Sequence, residues 1–209
     1  MQTYKTLYNE TTAEITEKRS RFLATVRHVE TEQQASDFIA EIKTKYWDAK
    51  HNVFAYCLKE NNLVRFSDDG EPHGTAGKPV LDVLTGRELK NVAVVVTRYF
   101  GGILLGTGGL VRAYSSACAK ALDSAEICEM KNCVVAQIIT DYSKYEKLKS
   151  MLESISGNVT DTVFENDITV NFYITEEEYD DFCKKVTDAF FGKLSVNKIS
   201  EKFFPVILK

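Results

Sequence analysis

A chain of 209 residues, 44% hydrophobic and 27% charged, is composed like a globular protein of one domain or two small ones and is long enough to bury a core. Its formal net charge of −4 leaves no general electrostatic hold on nucleic acid, so any such binding has to come from a local patch. No apolar run approaches the length of a membrane span and residues 1–8 show no signal-peptide stretch, so a cytoplasmic protein with no membrane partner is expected.

Residues 13–28 alternate or run apolar and read as a strand. Within it Lys18, Arg19 and Arg21 form a basic cluster, in which alternation sets Arg19 and Arg21 on one face and Lys18 with Phe22 on the other. Thr31 and Gln34 form a capping box ahead of Ala35, Phe38, Ile39, Ile42 and Tyr46, whose spacing predicts an amphipathic helix. Residues 53–59 and 63–66 follow as strands of a hairpin turning at 60–62, and a short helix is expected from Pro79 to Gly86. The run 92–97 is almost entirely β-branched, which predicts a central strand covered on both faces. Leu110, Tyr114, Ala117, Ala121 and Ala125 recur at helical spacing and should pack on that sheet, leaving Arg112, Ser115, Ser116 and Lys120 toward solvent.

Beyond residue 131 the pattern becomes strand 133–140, helix 142–155, strands 159–165 and 168–174, helix 176–191 behind a Thr175/Glu178 capping box, and strand 199–208. This βαββαβ order predicts a ferredoxin-like domain over 132–209, joined to an α+β domain over 1–131. The first part carries 17 Lys+Arg against 17 Asp+Glu and the second 9 against 13, so the acidic balance lies in the second. Five cysteines without a C-x-x-C pair read as reduced core thiols. Three scattered histidines lack metal-ligand spacing, and neither a metal nor a cofactor is expected.

Nine of the eleven glycines fall between Gly70 and Gly109, all but Gly86 in two loops. In the second, a helix starting near Thr107 would present unpaired N–H groups and a positive dipole end. Gly101, Gly102, Gly106, Gly108 and Gly109 bare the backbone there, and Arg98 and Arg112 can add charge-assisted bonds to a phosphate or carboxylate. A tight strand-to-helix turn explains the glycines equally well. Known phosphate-loop patterns fail: Pro72 and Pro79 break one, and Val111 occupies the third glycine of the other. In the first loop Asp68, Asp69, Glu71 and His73 read as a hard-cation or acid–base site, or as a tight turn; Thr75 and Lys78 can line an anion pocket facing the second loop. No Gly-x-Ser-x-Gly elbow, His-Glu-x-x-His pair or Cys/His nucleophile is recognisable.

The stretches Glu17-Lys18-Arg19-Ser20-Arg21-Phe22, His51-Asn52, 67–72, 74–79, 97–102 and 105–114 together resemble the YigZ/IMPACT family over about residues 15–125. The resemblance implies an N-terminal α+β domain like one shared by a small-subunit ribosomal protein and domain IV of elongation factor G, and a ferredoxin-like C-terminal domain like domain V of that factor. It also implies RNA or ribosome association, or, as in eukaryotic members, binding to a partner of a starvation-sensing translation kinase. The leading expectation is a non-enzymatic, translation-linked protein contacting RNA phosphate through Lys18, Arg19, Arg21, Lys78, Arg98 and Arg112. The alternatives are a protein-partner patch at Tyr99, Phe100, Ile103 and Leu104, and an enzyme acting on a phosphorylated small molecule.

Overall fold

A computed structural model describes residues 3–207 and divides them into two compact units, Tyr4–Cys128 and Glu129–Val206, the break falling near the start of a long strand. Residues 1–2, and the end of the last predicted strand at Leu208 with Lys209, lie outside the described residues.

The N-terminal unit holds β1 (Tyr4–Leu7), β2 (Thr11–Glu17), β3 (Ser20–His28), α1 (Glu32–Lys45), β4 (His51–Cys57), β5 (Val64–Ser67), α2 (Gly77–Gly86), β6 (Val92–Tyr99) and α3 (Thr107–Ser124). An antiparallel sheet runs in the order β2-β3-β6-β4-β5, with β6 central as its apolar run predicts. Alternation along β6 divides the core. Val92, Val94 and Val96 face α2 and α3 together with Phe22, Leu84 and Tyr114, whereas Ala93 and Val95 face α1 through Phe38 and Ile42.

Three local expectations change. The predicted strand 13–28 is two strands joined by Lys18 and Arg19, both at positive φ (43° and 68°), the backbone of a two-residue hairpin. These two cations therefore project from a turn instead of dividing between faces. The α2 helix begins at Gly77, two residues before Pro79, because a carboxylate from outside the helix satisfies its first N–H groups. Gly77 is required there: a Cβ would lie 2.6 Å from the Ser67 carbonyl oxygen. At α1, Thr31 accepts from the Gln34 N–H as expected, but the Gln34 side chain accepts from Glu30 N–H instead of closing the box on Thr31.

The C-terminal unit follows the βαββαβ order: β7 (Ile127–Thr140), α4 (Tyr142–Leu152), β8 (Gly157–Phe164), β9 (Ile168–Thr175), α5 (Glu176–Ala189) and β10 (Asn197–Ile207). With β10 on β7, β7 on β9 and β9 on β8, the spatial order is that of a ferredoxin-like sheet. Its core packs Ile138, Val170, Phe172 and Ile174 against Leu148, Phe182 and Val186 of the helices. The Thr175 side chain caps nothing; Glu178 turns away to accept from the N–H and hydroxyl of Ser156, fixing the end of the α4 connection instead. All four buried cysteines and the half-buried Cys183 are free thiols, and burial pushes Cys57 up to about 11 and Cys118 up to about 12. No helix of the described residues is long and apolar enough to cross a membrane.

Candidate functional site

Strand register gathers the relevant segments at one end of the N-terminal sheet. Arg21 of β3 and His51 of β4 lie opposite Tyr99 and Arg98 of β6, so the turn at 18–19, the segment 46–50 and the second glycine loop all leave from that end. The loop packs directly on the turn. A Cβ on Gly101 would lie 2.0 Å from the carbonyl carbon of Arg19, and the Gly101 N–H donates to Ser20 Oγ at 3.1 Å.

The start of α3 is open. Gly106 is the N-cap and no side chain accepts there; the first backbone bond of this end runs from Leu110 N–H to Gly106 O at 3.0 Å. The N–H groups of Thr107, Gly108 and Gly109 therefore have no acceptor among the described residues, and an 18-residue helix places its positive dipole end behind them. Arg112 is exposed, forms no ion pair among the described residues, and its Nη1 lies 3.7 Å from where a Cβ on Gly108 would sit. Lys18 and Arg19 are likewise exposed at the hairpin turn.

The other predicted cations are engaged elsewhere. Arg98 is 6% exposed, and its Nη1 donates to Glu71 Oε1 at 2.6 Å. The cause is strand alternation: Arg98 shares the inward face of β6 with Val92, Val94 and Val96. Tyr114 O–H donates to the same Glu71 oxygen at 2.7 Å, and His51 Nε2 stands 4.0 Å away. Burial, then the adjacent Glu71 carboxylate, pushes the Tyr114 phenol well above its ordinary range. Glu71 and Arg98 thus form a buried brace between the two glycine loops, and Tyr114, read from sequence only as core, is its third member. Arg98 Nε has no hydrogen-bond partner among the described residues, so the brace is incompletely satisfied. Arg21 makes a two-point pair with Glu14 at 2.7 and 3.0 Å, and Lys78 pairs with Asp82 one helical turn on.

The first loop closes on itself. Asp68 accepts from Gly74, Ala76 and Gly77 N–H groups at 2.8, 3.0 and 2.8 Å, so the anion position at the start of α2 is filled by the chain's own carboxylate. Burial pushes its carboxyl up, but the three N–H donors outweigh that and hold it below its usual value. Asp69 accepts from Asn52 N–H and Lys43 Nζ, both at 2.7 Å. Thr75 is buried and donates to the Pro72 carbonyl at 2.7 Å, so the anion pocket expected from Thr75 and Lys78 does not form. The His73 side chain is fully exposed, 3.9 Å from Asp68. No group of three or more His, Cys, Asp or Glu among the described residues is arranged to hold a metal ion. Asp68, Asp69 and Glu71 are thus engaged in bonds within the fold, while His73 stands exposed beside them.

The patch at Tyr99, Phe100, Ile103 and Leu104 divides similarly. Tyr99 is partly covered and donates to Asp48 Oδ1 at 2.8 Å, while Phe100, Ile103 and Leu104 are 47%, 42% and 83% exposed.

Fold and site together describe a two-domain α+β protein with an open, glycine-rich helix start on the N-terminal unit. Residues 18–122 match the family model of the Impact N-terminal domain, and residues 138–193 match a domain of unknown function, DUF1949. The chain belongs to the IMPACT family. It is 36% identical over 199 residues to the IMPACT family member YvyE of Bacillus subtilis, covering 95% of this chain and 92% of that one. To the IMPACT family member YigZ of Escherichia coli it is 30% identical over 187 residues, 88% of this chain and 92% of the other. A crystal structure described as that of a hypothetical protein superposes with a TM-score of 0.61 at 28% identity, covering 97% of this chain and all of the other.

Proposed function

We propose that the chain is a non-enzymatic, cytoplasmic, translation-linked binding protein whose N-terminal unit takes RNA phosphate at the start of α3. Arg112 and the Lys18–Arg19 turn supply the charge, and the bare N–H groups of Thr107, Gly108 and Gly109 supply directed donors. The observation that carries this reading is the uncapped α3 N-terminus with an unpaired arginine folded back over it. The translation link comes from the family resemblance, and no catalytic group is needed for the role.

A second reading, a protein partner, is favoured by the exposure of Phe100, Ile103 and Leu104 beside these cations, a mixture that anchors interfaces. Capture on the immobilised full chain, with and without nuclease, separates the two. The RNA reading predicts ribosomal or structured RNA on the wild type, little on a Lys18→Ala/Arg19→Ala/Arg112→Ala variant, and release of co-captured proteins by nuclease. Protein retained after nuclease and lost with Leu104→Asp would favour the second reading.

A further inference from the structure

We propose that Trp47 is a stacking platform for an unpaired base, so that the RNA recognised at this end of the molecule is single-stranded. The inference rests on the RNA reading above and narrows it to one ligand class. Trp47 follows α1 in the segment 46–50 and is 82% exposed, and its indole makes no ring contact or hydrogen bond among the described residues. Its position is nevertheless held: the neighbouring Asp48 accepts from the Tyr99 hydroxyl at 2.8 Å, tying the segment to the end of β6. Lys45 and Lys50 flank it, both exposed, with the Lys45 ammonium 5.2 Å from the centre of the Tyr46 ring.

Along the sheet end, the Lys18–Arg19 turn leaves β3, Phe100 leaves β6 and Trp47 precedes β4. These are three adjacent strands, so the outer two are about 10 Å apart. Lys45 and Lys50 outnumber Asp48, the one carboxylate of the segment, so residues 45–50 keep a net positive charge. Cations on both sides of a free aromatic face suit a polyanion that carries flat rings. A duplex keeps its bases stacked inside and offers the indole nothing; an unpaired strand can turn one out.

Trp47 is the chain's single tryptophan, so its emission reports directly on this position. The test titrates the full chain with an oligoribonucleotide of about 12 residues, single-stranded and as a duplex, following tryptophan emission and the anisotropy of labelled RNA. The expected result is saturable quenching by the single strand and not by the duplex. Trp47→Leu should weaken single-strand binding about tenfold while leaving duplex binding and the salt slope unchanged. Single-strand binding with unaltered emission, or equal losses for both RNA forms in Trp47→Leu, would overturn the stacking role and leave the phosphate reading standing. Absence of binding to either form would overturn both, and a tryptophan response confined to protein partners would overturn the choice of RNA.

Discussion

Arg98 and Arg112 are both arginines beside the second glycine loop, yet one is buried in an ion pair and the other is exposed. Arg98 shares a buried carboxylate with Tyr114, and removing one member of a buried charged pair strands the other. Arg98→Ala should therefore cost about 3 kcal/mol of unfolding free energy, read from denaturant midpoints. Arg98→Met combined with Glu71→Gln should recover more than half of that, because neither charge is then left buried alone. Arg112→Ala touches no such pair and should change stability by less than about 0.5 kcal/mol. Equal stability losses at the two arginines would refute the division of labour. Asp68 supplies a pH signature. Its folded pKa lies below the unfolded value near 3.8, so its contribution is complete above that range and disappears as pH falls through the folded value. Asp68→Asn should flatten the decline of stability with acidification below about pH 5, and a decline as steep as in the wild type would show that other carboxylates carry it.

At the scale of elements, the β2–β3 turn sets conformation against charge. Two bulky residues occupy left-handed backbone where Asn-Gly is the favoured pair. Lys18→Asn with Arg19→Gly should raise stability by about 1 kcal/mol while weakening RNA binding, the pattern of a site that keeps strain for function. A stabilised variant with undiminished RNA affinity would remove the turn from the site. The elements themselves were legible where periodicity is strong: α1, α3, the central β6 and the βαββαβ order all follow from spacing. The turn at Lys18–Arg19 was not, because no glycine, proline or asparagine marks it and the flanking strands continue the same alternation. The fate of Arg98 was readable in principle, since two-residue alternation from Val92, Val94 and Val96 places it inward; its partner Glu71 lies 27 residues away, a pairing that no local pattern records. Likewise Asp68 looked like a ligand because only the folded loop brings three backbone donors around it.

For the molecule as a whole, a net charge of −4 means that any hold on RNA is local, made by a few cations at one end of the N-terminal sheet. Three of the six candidate cations, Arg21, Lys78 and Arg98, are committed to ion pairs, which narrows the electrostatic surface to Lys18, Arg19, Arg112 and the flanks of Trp47. The decisive measurement is the slope of log binding constant against log salt concentration for the full chain on structured RNA carrying a single-stranded segment. The account predicts a slope reduced by about 1 in Arg112→Ala and by about 2 in Lys18→Ala/Arg19→Ala, with Lys78→Ala unchanged because its charge is paired with Asp82. Identical slopes for the wild type and Arg112→Ala, or an equal reduction in Lys78→Ala, would contradict a phosphate site at the start of α3.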